Sequence, residues 1–164
     1  MENKTFNISY FKYNNIQELS AEDRYLCEQA VVALNNSYSP YSNFKVGTAV
    51  RLQDNTIELG SNQENVAYPS GLCAERVALF SIGAKNPEAV IKAMAITAQT
   101  AQFSIENPVT SCGACLQVMA EVEKKQGSPI EVLFYCIGGE IIKVTSILSL
   151  LPFAFFENRL EKSV

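Results

Sequence analysis

The sequence predicts an α/β fold in three layers, with helices on both faces of a central, mixed, five-stranded sheet. Three observations lead there. Apolar strand-like segments alternate with segments of helical apolar spacing along the chain. An early strand-turn-strand pattern adds antiparallel pairing, which makes the sheet mixed rather than all parallel. Of the 164 residues, 48% are apolar, enough to build one core in a single domain spanning residues 1–164.

The elements follow in order. Ser20 stands where a helix cap is needed, ahead of a helix running to about Asn36 in which Leu26, Ala30, Ala33 and Leu34 form one apolar face. Residues 35–43 are rich in turn formers and contain Pro40, so they end the helix as a loop. Strands are expected over 45–52 and 56–64, joined by Gln53-Asp54-Asn55, whose Asp and Asn tolerate the left-handed backbone of a hairpin. Residues 72–84 carry apolar side chains at nearly every helical angle, which predicts a helix buried on most sides and ending near Gly83. An apolar strand over 91–98 precedes a loop holding Pro108, then a helix over 113–125 stopped by Gly127 and Pro129. Strands over 130–136 and 140–145 flank the turn Ile137-Gly138-Gly139, and Leu150-Leu151-Pro152 opens an aromatic tail.

Composition excludes whole classes of chemistry. The chain has no His and no Trp, so no Ser-His-Asp or Cys-His arrangement exists and no imidazole can bind a metal or titrate near neutral pH. Acid-base work falls to carboxylate, thiol, amine or phenol. The net charge is −4, from 13 Lys and Arg against 17 Asp and Glu, which argues against a nucleic-acid partner. The longest apolar stretch, 147–156, is broken by Ser149 and Pro152, so neither a membrane span nor a signal peptide is expected. Five cysteines without an export signal favour free thiols or metal ligands and a cytoplasmic location.

The cysteines carry the most specific signal. Cys112-Gly113-Ala114-Cys115 puts two thiols about one helical turn apart at a helix start, where unpaired amides favour thiolate. Cys73, at the start of another helix, is a plausible third ligand; three ligands on tetrahedral zinc leave a position for water, as in catalytic rather than structural sites. Glu75, two residues on, is a carboxylate able to move that water's proton. Three thiolates leave a zinc site at −1, so a nearby cation is wanted, and Arg76 is next in sequence. Read singly, each feature has a plainer meaning: Cys-x-x-Cys as a redox dithiol, Glu75 as a partner of the helix dipole, Arg76 as a surface charge. Cys27, on an apolar helix face, and Cys136, in an apolar strand, read as small buried hydrophobes.

In order along the chain stand Tyr38-Ser39-Pro40-Tyr41-Ser42-Asn43-Phe44-Lys45-Val46-Gly47, Gly60-Ser61-Asn62-Gln63-Glu64-Asn65, Cys73-Ala74-Glu75-Arg76, Cys112-Gly113-Ala114-Cys115 with Gln117, and Leu150-Leu151-Pro152. In this ordered set the sequence resembles the small zinc-dependent cytidine deaminases from about Leu26 to Phe155. The resemblance implies the cytidine deaminase-like form of the α/β fold and hydrolytic deamination at C4 of cytosine in pyrimidine salvage. Cytidine and deoxycytidine would give uridine and deoxyuridine with release of ammonia. It implies one Zn²⁺ per chain on Cys73, Cys112 and Cys115, with Glu75 shuttling protons to N3 and the leaving amine. The ribose contacts map onto Asn62 and Glu64, which, two apart on a strand, would face the same way. Phe44 matches the aromatic beside the nucleoside, and Ala74 the residue whose backbone meets the base. Phe155 matches the aromatic that reaches a neighbouring subunit's site, in a homotetramer with active sites near subunit interfaces.

Two positions depart from the family pattern. Ser111 stands where Pro is common before the first paired cysteine, which relaxes the loop geometry, but its hydroxyl is able to cap the helix, so the site is expected to survive. Leu116 stands where Arg commonly follows the second, which removes a positive charge from the site or from a subunit interface. Rival readings are a deaminase of another cytosine nucleoside or nucleoside antibiotic, and a structural zinc or redox dithiol protein, which would have no need of Glu75.

Overall fold

The structure, a computed structural model, describes residues 1–160. The strands are β1 (Phe11–Tyr13), β2 (Phe44–Leu52), β3 (Ile57–Ser61), β4 (Ile91–Thr100), β5 (Glu131–Tyr135) and β6 (Ile141–Val144). The helices are α1 (Ala21–Ala33), α2 (Ala74–Lys85) and α3 (Gly113–Gln126). Ser20 caps α1 as its position predicts, its Oγ accepting from the Asp23 amide at 3.1 Å. Asn55 in the β2–β3 turn (φ 68°), Gly127 after α3 (φ 68°) and Gly138 before β6 (φ 75°) supply the left-handed residues that end those elements.

Six strands form the sheet, not the expected five, in the order β1-β6-β5-β4-β2-β3. The additional strand is β1, which pairs antiparallel with β6 at the edge; at three residues it is too short to show a periodicity. Only β4 and β5 run parallel, linked by α3, and the other pairings are antiparallel. The two-residue period of the strands sorts side chains between two helical layers. Ala49, Ala93, Ala95 and Leu133 pack with Leu26, Cys27 and Ala30 of α1. Their strand neighbours Val50, Met94, Ile96 and Phe134 pack on the other face with Ala78 and Leu79 of α2 and Met119 of α3. Each such large side chain contributes roughly 1.5–3 kcal/mol by burial. No helix among the described residues is long and apolar enough to cross a membrane.

Two glycines set how closely the helices approach. A Cβ on Gly47 would lie 2.2 Å from the Ala30 carbonyl oxygen of α1, and one on Gly60 would lie 2.3 Å from that of Ala74 in α2. Gly60 therefore fixes the seat of the first turn of α2, where Cys73 and Glu75 stand. α2 runs two residues past Gly83, to Lys85. β3 stops at Ser61 rather than reaching residue 64.

The C-terminal segment is anchored by Glu123, a buried carboxylate on α3. It accepts from the amides of Ile130 (2.7 Å) and Ile147 (2.9 Å) and from the Ser146 hydroxyl (2.5 Å), tying α3 to the chain on both sides of the β5–β6 hairpin. Farther along, the Gln117 side chain clasps Phe155: Nε2 donates to its carbonyl and Oε1 accepts from its amide, both at 2.8 Å.

Candidate active site

The N-terminal ends of α2 and α3 bring the predicted cysteines together. Cys73 is the N-cap residue of α2 and Cys112 that of α3, both in extended backbone and neither side chain used for capping, so the thiols are left for another partner. Cys115 lies one turn into α3, with its Sγ 3.5 Å from that of Cys112. All three sulfurs lie within 4.8 Å of one another. A tetrahedral zinc with Zn–S bonds near 2.3 Å needs sulfurs about 3.8 Å apart. The donor set fits that ion. The convergent helix N-termini favour negative sulfur, and Arg76 Nη2 donates to Cys73 Sγ at 3.7 Å. The hydrogen bond from Cys115, assisted by Arg76 and opposed by burial, pulls the Cys73 thiol down to about 6; Cys115, bonded to Cys73 and buried, is held above its ordinary range.

Glu75, in the first turn of α2, is 4% exposed. Its Oε1 accepts from the Ser111 hydroxyl at 2.7 Å. This corrects the expected role of Ser111: Cys112 occupies the N-cap position of α3, and the serine hydroxyl reaches across to α2 instead of capping. Leu116 is half-buried against the core, so its packing is apolar, and Arg76 is the guanidinium that meets the thiols.

Cys73, Glu75 and Cys112 line a cavity of about 600 Å³ together with Asn62 and Glu64. That volume suits a small organic ligand. Asn62 and Glu64 lie beyond the end of β3, but the chain stays extended there. Gln63 exchanges two hydrogen bonds with Leu72 at 2.9 Å, Tyr38 pairs alongside, and Asn62, Gln63 and Glu64 all line the cavity. Asn62 is mostly committed to the scaffold: Oδ1 accepts from the Val46 amide (2.8 Å) and Ser37 hydroxyl (2.6 Å), and Nδ2 donates to the Phe44 carbonyl (2.9 Å). One N–H of that amide has no protein acceptor among the described residues. Glu64 gathers the loop ahead of β2, accepting from the Tyr41 (2.9 Å) and Ser42 (3.2 Å) amides and from the Ser42 hydroxyl.

Those bonds, the Ser42 hydroxyl first, hold the Glu64 carboxyl below its ordinary range. A depressed folded-state pKa means that the loop clasp is present above the ordinary Glu value and is lost as pH falls through the lowered one. The Tyr41 and Ser42 amide resonances are therefore expected to titrate below the usual Glu value of about 4.3. A midpoint at or above that value would exclude the clasp.

Three other predicted residues lie outside the cavity lining. Phe44 stacks on Phe103, with ring centroids 6.3 Å apart. Ala74 is fully buried. Phe155 is 71% exposed, its backbone is fixed by Gln117, and it does not line its own chain's cavity. The sequence reading missed Tyr68, which lines the cavity and meets Tyr41 edge-on at 5.8 Å. A tyrosine that opens a three-residue 3-10 turn (Tyr68–Ser70) has no periodicity to mark it. Cys27 and Cys136 are buried as expected; burial, first among its causes, pushes the Cys27 thiol up to about 12, and Cys136 Sγ donates to the Ile105 carbonyl at 3.2 Å.

Three thiols arranged for a metal with one open position, and a buried carboxylate beside them, are the parts of a zinc-dependent hydrolase. Residues 20–127 match the family described as the cytidine and deoxycytidylate deaminase zinc-binding region, and the chain belongs to that family. It is 39% identical over 146 residues to a cytidine deaminase of Sporosarcina psychrophila, covering 89% of this chain and 95% of that protein. With a cytidine deaminase of Halalkalibacterium halodurans it shares 38% over 132 residues, 79% of this chain and 91% of the relative. The crystal structure of cytidine deaminase from Burkholderia pseudomallei superposes with a TM-score of 0.70 at 37% identity, covering 84% of this chain and all of that one. Zinc is the cofactor, and the three-sulfur cluster is compatible with holding it.

Replacing one thiolate with a weak hydroxyl donor leaves two sulfurs, too few for a stable site. Cys112→Ser is accordingly expected to lower both bound zinc and activity. Metal analysis checks it, and an unchanged zinc content would mean that Cys112 is not a ligand.

Proposed function

We propose that this protein is a single-domain deaminase that hydrolyses cytidine and deoxycytidine to uridine and deoxyuridine with release of ammonia, in pyrimidine salvage. The observation that carries this reading is one cavity lined by two of the three clustered cysteines, by the buried Glu75, and by Asn62 and Glu64. Zinc on Cys73, Cys112 and Cys115 supplies the Lewis acidity that makes water a nucleophile near neutral pH. Glu75 takes a proton from water as oxygen bonds to C4 and delivers it to N3. It then carries the second proton to the amine as the C4–N bond breaks, leaving a C4 carbonyl and ammonia. In a chain without histidine, Glu75 is the group beside the cysteines suited to both transfers. The free N–H of Asn62 and the Glu64 carboxylate are the groups assigned to the ribose hydroxyls. Arg76 offsets the charge of three thiolates on one divalent ion.

The reading extends to a cytoplasmic enzyme, consistent with five free cysteines, and to a homotetramer with sites near its interfaces. Phe153 and Phe155 are 83% and 71% exposed, an apolar pair suited to a subunit contact. Phe155→Ala is expected to raise KM or loosen the oligomer; unchanged KM and an unchanged sedimentation profile would exclude a role across subunits.

The decisive experiment follows loss of cytidine absorbance with zinc-loaded protein, with deoxycytidine and free cytosine in parallel. Turnover of both nucleosides but not the base is expected. Protein holding one zinc per chain that turns over none of the three would exclude this function.

A further inference from the structure

We propose that Ser111 is a positioning residue for the proton-carrying step, holding Glu75 in its working orientation through the Ser111 Oγ to Glu75 Oε1 hydrogen bond; this rests on the deaminase reading above. The bond joins two helix starts that are 36 residues apart in sequence, at 2.7 Å. Ser111 stands in the segment entering α3, one residue ahead of Cys112, and Glu75 in the first turn of α2, two residues after Cys73.

Cavity and hydrogen bond divide the local residues into two groups. Thr110 and Cys112 line the cavity, whereas Ser111 between them does not, so its hydroxyl supports Glu75 from outside the substrate space. Ser111 touches no reacting atom. Its effect passes through the carboxylate: Oε1 is the oxygen that accepts the serine proton, and Oε2 has no hydrogen-bond partner among the described residues. A glutamate side chain has three rotatable bonds, and a carboxylate that must receive a proton and give it up at two nitrogens gains from losing that freedom beforehand. A hydrogen bond from a hydroxyl in the segment entering a separate helix fixes one oxygen and leaves the other available for the transfer. No other side-chain donor to Glu75 appears among the described residues, so the orientation of the carboxylate depends on this hydroxyl.

Ser111→Ala and Ser111→Thr test this in full-length, zinc-loaded protein. Ser111→Ala is expected to lower kcat about tenfold, the scale of one hydrogen bond to a charged group. KM and zinc content should stay unchanged. Ser111→Thr, which keeps the hydroxyl, should restore kcat to within about twofold of the parent. Two calorimetric titrations give a readout independent of turnover. Uridine affinity should be the same in all three proteins, whereas affinity for a ribonucleoside with a hydroxyl on a tetrahedral C4 should fall in Ser111→Ala in step with kcat. In a Glu75→Ala background, removing the serine hydroxyl should have no further effect on that second affinity.

Parental kcat in Ser111→Ala overturns the proposal. So does loss of zinc or of uridine affinity in that variant, or an equal loss in Ser111→Thr, because each assigns Ser111 to the metal loop rather than to Glu75. Failure of the deaminase reading is distinguishable: there the zinc-loaded parent itself turns over no cytosine nucleoside, and the role of Ser111 falls with it.

Discussion

Glu75→Gln is expected to lower turnover of cytidine by at least about 10²-fold, the scale of a lost general acid-base, with zinc content and thermal stability retained. The substitution is nearly isosteric. The amide oxygen can still accept from Ser111, so the link between α2 and α3 survives. On the proposed mechanism, what is lost is the capacity to hold a proton between water and the leaving amine. No imidazole can substitute in a chain without histidine, and Asn62 offers an amide that does not titrate. Glu64, the other carboxylate lining the cavity, is engaged by the Tyr41 and Ser42 amides and is held in its ionised form. Steady-state kinetics beside metal analysis makes the check. Near-parental turnover would take Glu75 out of the mechanism, and loss of zinc would recast it as a structural support.

What the sequence made legible divides along physical lines. α1, the β2–β3 hairpin, β4, α3 and the β5–β6 hairpin all have apolar periods long enough to read, and their ends carry residues with a mechanism, such as Ser20 at a cap and Asn55 and Gly127 in left-handed backbone. The cysteine cluster was legible because thiols near helix starts, with a carboxylate two residues from one of them, combine few chemistries. β1 was not: three residues on an edge owe their conformation to β6, a partner some 130 positions away in sequence. The same holds for side chains whose partners are distant. Ser111 reads locally as a helix cap, and only the packing of α3 beside α2 brings its hydroxyl to Glu75. Asn62 reads as a ligand group, yet most of its hydrogen-bonding capacity joins β2 to the loop before it. Phe44 reads as a ring for the nucleoside and is found on Phe103.

That dependence on packing makes Gly60 the most consequential glycine of the site, although it bears no functional group. Gly60→Ala is expected to destabilise the fold by about 3 kcal/mol, the upper part of the range for overpacked cores. The added Cβ would lie 2.3 Å from the Ala74 carbonyl oxygen, 2.7 Å from the Ala78 nitrogen and 2.8 Å from the Ala78 Cβ, all within α2. Two of those atoms are helix backbone, so no flexible side chain can yield and the helix must move as a unit. Its N-terminal end carries Cys73 and Glu75, and their displacement relative to Cys112 and Cys115 on α3 should weaken zinc binding as well as stability. Gly83→Ala in the same helix is the control, because nothing lies within 4 Å of its added Cβ. There helix propensity alone acts, and a gain of up to about 1 kcal/mol is expected. Denaturant unfolding and zinc titration of the two variants separate the effects. Equal stability in both would mean that the α2–β3 spacing is soft, whereas a Gly60→Ala protein that loses stability but keeps full zinc affinity would show that the cysteines are held by α3 and the loops rather than by the seat of α2.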